Sequence, residues 1–327
     1  MYSVADYGAL IADNVRMGAF VTALKRTVTP GSIVVDIGTG TGIFALIACA
    51  LGARHVYAIE PNDAIDVARE IAAANGYADR IEFHHALSTD VTLPERADVI
   101  VADIGGMLPW IEGAIPSLVD ARRRMLAPNG VLIPRRDLIW TAVVEAEDLY
   151  ARQTAGWSDN EFGIDMRAAR DIVVNTWTRG HIGPGQLLAP PQRWAVVDYA
   201  TIEETNVRTT VEWTVARTGV GHGFAAGFDR TVIDGVEISN APDRSEHVRP
   251  TLVYAPVVFP WTQPVRLEAG DVVSADISAM LIGERYVWNW KTRVRGGQTG
   301  EMKARFDQST LLGLPLSAET LKKARAR

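Results

Sequence analysis

The fold of this chain is indicated by the stretch Val34-Val35-Asp36-Ile37-Gly38-Thr39-Gly40-Thr41-Gly42-Ile43-Phe44. Glu60 lies eighteen positions after Gly42, the last of the three glycines. The apolar run predicts a buried strand, the alanine-rich residues after the glycines predict a helix, and residues 55–59 predict a second strand. Glycines let the backbone approach a ligand closely, and a carboxylate at a strand end suits a ribose diol. The stretch therefore predicts a nucleoside-binding unit.

The spacing of the glycines indicates which class of nucleoside cofactor the unit binds. A dinucleotide-binding G-x-G-x-x-G pattern would need glycine at position 43, where the chain has Ile43. The observed D-x-G-x-G-x-G pattern is typical of enzymes that use S-adenosylmethionine. The alternative is that the glycines only form a tight strand-to-helix connection. The candidate cofactor-binding residues of this unit are Asp36, Gly38, Gly40, Gly42, Glu60 and Pro61.

The composition is that of a soluble globular protein. The chain has 327 residues, which is long enough for two cores, with 47% hydrophobic and 22% charged residues. A net charge of −6 gives no general attraction to nucleic acid. No uncharged run reaches the roughly 18–20 residues of a membrane helix, and the amino terminus has no signal-peptide pattern. Because Cys49 is the single cysteine and the histidines are scattered, we expect a cytoplasmic protein without a metal site.

Up to about residue 136, strand and helix patterns alternate along the chain. This order predicts an α/β unit in which a mostly parallel, Rossmann-like sheet has helices on both faces. Asp36, Glu60 and Asp103 are each placed at a predicted strand end. Because open α/β sheets bind ligands at the carboxyl ends of their strands, the three acids are expected at one site.

Beyond about residue 136, short β-rich runs predict an antiparallel barrel or sandwich. Residues 150–169 have a partly helical pattern, and residues 317–327 suggest a short terminal helix with a solvated basic end. The predicted strands are residues 138–146, 193–202, 209–216, 231–238, 251–258, 272–280 and 285–294.

Two acidic residues flank a glycine-containing loop, Asp103-Ile104-Gly105-Gly106-Met107-Leu108-Pro109-Trp110-Ile111-Glu112. Asp103 ends a strand, and Glu112 begins a helix, where a carboxylate is favoured by the helix dipole. If the loop turns both carboxylates toward one pocket, they would hold a planar cation by charge-assisted hydrogen bonds. The alternative is that Glu112 is only an N-terminal helix charge.

With these motifs in place, the chain resembles the protein arginine methyltransferase family over nearly its whole length. The glycine stretch and Glu60 resemble the cofactor motif of that family, and residues 103–112 resemble its double-glutamate loop. The other matching segments are Met1-Tyr2-Ser3-Val4-Ala5-Asp6-Tyr7, Asp13-Asn14-Val15-Arg16, Phe162-Gly163-Ile164-Asp165-Met166 and Phe259-Pro260-Trp261-Thr262-Gln263.

The resemblance implies a class I methyltransferase fold followed by an antiparallel β-barrel domain with a dimerisation arm. It divides the chain into an N-terminal helical lid (1–30), a cofactor domain (31–136) and a barrel domain (137–327) with the arm at about 150–185. It also implies a homodimer and S-adenosylmethionine as the cofactor.

Roles for individual residues follow from the same resemblance. Arg16 would pair with the cofactor carboxylate, and Asp103, Glu112 and Asp13 would be catalytic. Ser88, Thr89 or Asp90 would contact the adenine. The candidate substrate-binding residues are Tyr2, Tyr7, Met107, Trp110 and Trp261.

The chain departs from the family pattern near the expected substrate. Pro260 stands where the family has the histidine that pairs with the aspartate at Asp13. Asp103 replaces a glutamate, and Ile104 and Gly105 replace a tryptophan and a methionine. The substrate pocket is therefore expected to be altered.

We therefore predict an N-methyltransferase that acts on a guanidino nitrogen of arginine, either in a protein or peptide or as the free amino acid. One alternative is methylation of another small-molecule nitrogen or oxygen, which the altered loop favours. A second alternative is an inactive, cofactor-binding dimeric regulator.

Overall fold

The structure is a computed structural model that describes residues 3–111, 113–158, 160–242 and 252–313. Two of the predicted site residues, Tyr2 and Glu112, lie outside the described residues. The predicted terminal helix at 317–327 lies outside them as well.

The first half of the chain contains the predicted parallel sheet, whose five strands lie in the order β3-β2-β1-β4-β5. Each residue of β1 is buried, and because side chains alternate along a strand, both faces of the sheet are covered. The strands are β1 (Ile33–Ile37), β2 (His55–Ile59), β3 (Ile81–His84), β4 (Ala97–Val101) and β5 (Leu126–Ile133).

Five helices occur in the same part of the described chain as this sheet. The residues that precede two of them, Asp13 and Gly42, determine where those helices begin. The Asp13 carboxylate caps α2 by accepting the N–H groups of Val15 and Arg16, both at 3.0 Å. Gly42, with a φ of 88°, precedes α3 in a left-handed conformation that suits glycine. The helices are α1 (Val4–Ala12), α2 (Asn14–Thr27), α3 (Ile43–Ala50), α4 (Ala64–Ala74) and α5 (Ala114–Arg124).

The second half is antiparallel, as predicted, and its strands form two sheets. Strands β7-β12-β10-β6-β8 form one sheet with β11 paired to β10, and β15-β14-β13-β9 form the other. Closure of these strands into a barrel stays a prediction. The strands are β6 (Arg136–Val144), β7 (Thr178–Arg179), β8 (Gln192–Asp198), β9 (Val207–Thr214), β10 (Gly219–Ile233), β11 (Val236–Ser239), β12 (Val257–Leu267), β13 (Val272–Ile282), β14 (Arg285–Arg295) and β15 (Met302–Ser309).

Two of the predicted strands are wrong. The run 231–238 is not one strand, because Asp234 and Gly235 form the turn of the hairpin that joins β10 to β11, with a φ of 75° at Gly235. The predicted strand at 251–258 is also misplaced, since β12 begins only at Val257. Most of β10 and all of β15 were not predicted from the sequence. For β10 the reason is its glycine content, because glycine is uncommon inside strands.

A pair of helices, α6 (Glu147–Ser158) and α7 (Arg167–Val174), lies in the region predicted as the arm. Apolar side chains there are exposed, most of all Phe162 at 82%. A last short helix, α8, spans Thr310–Gly313. Among the residues that the structure describes, no helix combines the length and apolar character needed to cross a bilayer.

The parallel and antiparallel halves share one hydrophobic core. Three tryptophans join them: Trp110, on the loop after β4, packs edge-on against Trp194 and Trp288 with ring centroids 5.2 and 6.5 Å apart. Trp288 Nε1 also donates to the Trp110 carbonyl oxygen at 3.0 Å. The second half of the chain thereby supports the loop that begins at Asp103.

Candidate active site

A cavity of about 210 Å³ opens at the carboxyl ends of β1, β2 and β4. This is the edge at which open α/β sheets bind ligands. Seven of the residues predicted from the sequence line it: Tyr7, Arg16, Gly38, Glu60, Pro61, Asp103 and Met107. Others that line it, and that were not predicted, include Leu10, Thr39, Phe44, Gly105 and Tyr254.

The glycine loop after β1 is shaped by contacts that leave no room for side chains. Gly38 has a φ of 71°, and a Cβ atom there would lie 2.4 Å from Ile104 Cγ2. Gly40 has a φ of 53°, and a Cβ atom there would lie 2.3 Å from the Tyr7 ring. Both positions therefore need glycine, and the Tyr7 ring of α1 lies directly against the loop.

Asp36 supports the loop from below and does not line the cavity. Its Oδ2 accepts from Thr39 Oγ1 at 2.6 Å and from the Ala45 N–H at 3.0 Å. Burial raises the pKa of Asp36 to about 7, although these two hydrogen bonds lower it. The contacts of Asp36 are with the loop and the start of α3, and its contact with the cofactor stays a prediction.

Glu60 lies at the end of β2 on the cavity wall, as predicted. Its Oε2 accepts from the Gly40 N–H at 3.0 Å, and its Oε1 accepts from the N–H and the side-chain amide of Asn62 at 3.1 and 2.7 Å. The carboxylate is therefore fixed beside the glycine loop. A fixed carboxylate in this place suits a pair of ribose hydroxyls.

Arg16 projects from α2 into the same cavity. Its Nη1 donates to the Leu10 carbonyl oxygen at 3.1 Å, and its Cζ lies 5.1 Å from the centre of the Phe44 ring. Its Nε donates to Asp103 Oδ2 at 2.5 Å. The guanidinium is a buried cation at the cavity wall, as required of a partner for a ligand carboxylate.

Asp103, just beyond the end of β4, has both carboxylate oxygens engaged. Oδ2 accepts from Arg16 Nε and, at 2.8 Å, from the Tyr254 hydroxyl, and Oδ1 accepts from Arg230 Nη1 at 2.9 Å. Burial raises the pKa of this carboxyl group, but the two arginines outweigh burial and lower it. Asp103 is therefore a buried, ionised carboxylate.

Arg230 and its partners were missed by the sequence analysis. Arg230 and Asp137 lie opposite each other in the β10–β6 ladder, and both are fully buried. Arg230 donates to Asp137 through Nε and Nη2, both at 2.8 Å, and Tyr199 donates to Asp137 Oδ2 at 2.8 Å. Because a buried charge needs a partner, burial of Arg230 requires the contact with Asp137, but nothing in the sequence marks Arg230 as buried.

Three polar residues of the predicted site, Asp13, Ser88 and Thr89, do not line the cavity. Besides capping α2, the Asp13 carboxylate accepts the Val253 N–H at 2.7 Å. The catalytic role of Asp13 stays a prediction. Ser88 and Thr89 also lie away from the cavity, where their carbonyl oxygens accept from Arg124 Nη2.

The two predicted substrate-binding tryptophans are core residues. Trp110 is 2% exposed within the tryptophan cluster, and Trp261 is fully buried and stacked on Phe306 at 5.6 Å. Neither lines the described cavity. Both rings are packed against aromatic neighbours, and a contact of either ring with the substrate stays a prediction. Gly42 also lies outside the cavity, packed against Ala68.

The donors and acceptors of the cavity fit S-adenosylmethionine. Arg16 matches its carboxylate, Glu60 matches its ribose diol, and the Gly38 backbone, which a Cβ atom would crowd, allows close approach. Asp103 adds a negative charge at the wall formed by the loop after β4. The cavity therefore combines a nucleoside site with an acidic group placed beside it.

Comparisons with known proteins find methyltransferases among the proteins similar to this chain. The family model described as "Ribosomal protein L11 methyltransferase (PrmA)" matches residues 19–135. The chain is 29% identical over 252 residues to a "Probable protein arginine N-methyltransferase 6" of Arabidopsis thaliana, with 74% of this chain and 58% of that protein covered. It is 28% identical over 315 residues to "Protein arginine N-methyltransferase PRMT10" of Oryza sativa subsp. japonica, with 85% and 81% covered.

Solved structures extend the similarity of the fold to almost the whole chain. Arabidopsis thaliana protein arginine methyltransferase 10 superposes with a TM-score of 0.78 at 22% identity, covering 94% of this chain and 98% of that one. A Trypanosoma brucei PRMT1 enzyme-prozyme heterotetrameric complex with AdoHcy superposes with a TM-score of 0.80 at 18% identity, covering 93% and 97%. The chain is an S-adenosylmethionine-dependent methyltransferase that is similar in sequence and fold to protein arginine N-methyltransferases.

Proposed function

We propose that the protein transfers a methyl group from S-adenosylmethionine to a guanidino nitrogen of arginine, in a protein, a peptide or the free amino acid. The observation that carries this proposal is the Asp103 carboxylate, which is paired with Arg16 and Arg230 at the wall of the cofactor cavity. A guanidinium is positively charged at neutral pH, so an acceptor of this kind needs an acidic partner beside the methyl donor.

The cofactor would be held by Arg16 at its carboxylate, by Glu60 at its ribose and by the Gly38 backbone. When bound, it supplies an electrophilic methyl group on a sulfonium sulfur. Asp103 would orient the acceptor nitrogen and stabilise the positive charge of the methylated product. The second acid, Glu112, takes its role in this proposal from the family resemblance alone.

The experiment measures transfer of a labelled methyl group from S-adenosylmethionine to L-arginine, to an arginine-containing peptide and to a simple alkyl amine. In the proposed function, Glu112→Gln lowers turnover of the arginine acceptors by at least about a hundredfold while cofactor affinity changes little, because the carboxylate is needed for charge stabilisation. Glu284→Gln, an exposed change at the β13–β14 turn, is the control. Equal turnover in Glu112→Gln and wild-type protein would refute the role of the acid pair.

A second candidate function is methylation of another small-molecule nitrogen or oxygen. The specific observation in its favour is that Asp103 already accepts hydrogen bonds from two arginines of the protein itself. Labelled amines or alcohols without labelled arginine, in the same assay, would select this function.

A third candidate is an inactive, cofactor-binding partner protein. It predicts micromolar binding of S-adenosylhomocysteine by calorimetry together with no labelled product of any size from a cell lysate. A single labelled product would exclude it.

We also propose that the protein is a homodimer that works in the cytoplasm. The exposed apolar residues of the α6–α7 region, including Phe162 and Ile164, support association of two copies, because monomers seldom leave such groups in water. The one cysteine, Cys49, is free and buried, which suits a reducing compartment.

A further inference from the structure

A groove of about 770 Å³ lies between the end of α2, strand β5 and the turn that joins β10 to β11. None of the described residues that line it also lines the cofactor cavity. Arg96 directly precedes β4 and Leu126 begins β5, so the groove lies at the amino ends of these strands. The five residues of β4 span roughly 17 Å, at about 3.3 Å per residue, between the groove and the cavity at the carboxyl end. The groove is therefore a separate surface.

Basic and apolar side chains dominate the groove. Four arginines line it, and Asp234 is the one acidic residue among its described lining residues. The chain as a whole has a net charge of −6, so this concentration of positive charge is local. A cleft lined by one sign of charge raises the local concentration of ligands of the opposite sign. The four arginines are Arg26, Arg96, Arg122 and Arg135.

Two of these arginines are exposed and have most of their donors unused. Arg26 Nη1 donates to the Asp234 carbonyl oxygen at 3.2 Å, and Arg96 Nη1 donates to the Leu126 carbonyl oxygen at 2.6 Å. Among the described residues, neither guanidinium makes a further hydrogen bond or an ion pair. Because a guanidinium has five N–H groups, both side chains can still bind a carboxylate through two of them.

The other two arginines are held in place by the protein. Arg122 donates to two backbone carbonyl oxygens, at 2.8 and 2.9 Å. Arg135 forms an ion pair with the carboxylate of Asp234, the residue whose carbonyl oxygen accepts from Arg26. One turn residue therefore keeps two guanidinium groups beside each other. Side chains that are already ordered lose less entropy when a ligand binds.

The apolar part of the groove includes a free sheet edge. Strand β5 is the last strand of the parallel sheet, and in the described part of the chain it pairs with β4 alone. The Ile133 carbonyl oxygen accepts the Ala102 N–H at 2.8 Å, so it points toward β4. Because backbone groups alternate sides along a strand, those of Leu132 point toward the free edge, and Leu132 lines the groove. Half-buried Leu126 and Val131 line it as well.

We propose that this groove binds an extended, acidic peptide segment of a partner protein. Carboxylates of the segment would pair with the four arginines, and its alternate apolar side chains would contact Leu126 and Val131. Its backbone would hydrogen-bond to the free edge at Leu132, as in recognition by strand addition. A strand of alternating acidic and apolar residues fits all three features of the groove.

The groove suits a peptide better than a nucleic acid. Affinity for nucleic acid comes mainly from phosphate contacts along a basic surface. Here the four arginines lie within one groove of a chain whose net charge is −6. A nucleic acid also has no peptide backbone with which to extend a sheet edge.

The test measures, by fluorescence anisotropy, the binding of a labelled and capped peptide in which glutamate and valine alternate. The test variant is Arg26→Gln with Arg96→Gln. Neither arginine is paired with a carboxylate among the described residues, so these changes leave no acid unpaired. The matched control is Arg285→Gln with Arg305→Gln, which changes the net charge equally at two exposed arginines outside the groove.

We expect wild-type protein to bind the peptide saturably. Arg26→Gln with Arg96→Gln should weaken binding at least about tenfold, because charge-assisted contacts are lost. The control pair should bind within about twofold of wild type, since exposed charges at a distance are screened. A peptide with glutamine in place of glutamate should bind wild type at least about tenfold more weakly.

Absence of saturable peptide binding by wild-type protein would overturn the inference. Equal loss of binding in both variant pairs would overturn it as well, because the effect would then come from total charge. A single-stranded oligonucleotide that binds more tightly than the peptide, and that Arg26→Gln with Arg96→Gln no longer binds, would overturn the assignment to a peptide. Urea unfolding at the wild-type midpoint shows that each variant pair remains folded.

This inference does not rest on the proposed function. Wild-type protein that binds the peptide through Arg26 and Arg96 but methylates no acceptor would support the groove and refute the function. Methylation of arginine without saturable peptide binding would support the function and refute the groove.

Discussion

Glu60 and Asp103 both line the cavity, and each lies just beyond the end of a parallel strand. Their position at the sheet edge was predicted from the sequence, because each follows a short apolar run that forms a buried strand. Open α/β sheets bind ligands at the carboxyl ends of such strands, which is where the cavity lies. The partners of Asp103 could not be predicted in this way. Arg230 and Tyr254 lie 127 and 151 positions further along the chain, and only the packing of the two halves brings them near.

The buried Asp36 makes a prediction about pH. Burial raises its pKa from 3.8 to about 7, so between these values the folded protein holds a proton that the unfolded chain has lost. The free energy of unfolding should therefore fall with rising pH in this window, by at most about 1.4 kcal/mol per pH unit from this group. In Asp36→Asn this contribution is absent, so the variant gains stability relative to wild type as pH rises toward about 7.

Urea unfolding of the cofactor-free protein at several values between about pH 5 and about pH 8 measures this difference. Asp66→Asn, at an exposed position of α4, serves as the control. A difference between Asp36→Asn and wild type that stays constant across the window would contradict the assignment.

At the scale of elements, the spacing of apolar residues and the turn residues predicted the parallel sheet. The same patterns predicted only part of the antiparallel half. The parallel strands are short apolar runs between helices, a pattern with one simple interpretation. Strand β10 carries four glycines at positions 219, 221, 223 and 227, whose backbone lies close to side chains such as Trp140 and Trp261. That need for small residues comes from tertiary packing, and no local pattern reveals it.

Strand β14 offers a prediction with an internal control. Trp288 and Trp290 are both buried on the same face, as predicted from their spacing of two. Trp288 Nε1 donates to the Trp110 carbonyl oxygen, whereas Trp290 Nε1 has no hydrogen-bond partner in the part of the chain that the structure describes. Trp288→Phe should therefore cost about 1–3 kcal/mol more stability than Trp290→Phe, because it leaves a carbonyl unpaired.

Both changes remove a similar ring volume, so their difference isolates the hydrogen bond. Urea unfolding of the two variants measures it. Equal destabilisation of Trp288→Phe and Trp290→Phe would show that this bond does not contribute to joining the two halves.

At the scale of the whole molecule, the α6–α7 region exposes three large apolar side chains, one of them within α7. Phe162, Ile164 and Ile172 are 82%, 59% and 39% exposed. The double change Phe162→Ser with Ile172→Ser should weaken the proposed dimer by at least about tenfold, because large apolar groups supply most of the affinity of such interfaces. Sedimentation equilibrium over a range of protein concentrations measures the change.

Ile282→Ser is the matched control, since Ile282 is 57% exposed at the end of β13, away from the α6–α7 pair. It should leave the dissociation constant of the dimer unchanged. If the Phe162 and Ile172 changes have no more effect than Ile282→Ser, the interface lies elsewhere.

The ladder position shared by Arg230 and Asp137 has a consequence for how this protein diverges. Losing either residue alone breaks this buried ion pair, at about 3–5 kcal/mol, which is a large part of the stability of an ordinary domain. Descendants of this chain should therefore inherit or discard both residues together. The two positions are therefore expected to change together in related sequences. A relative that has lost both residues would also lack the hydrogen bond from Arg230 to Asp103 Oδ1.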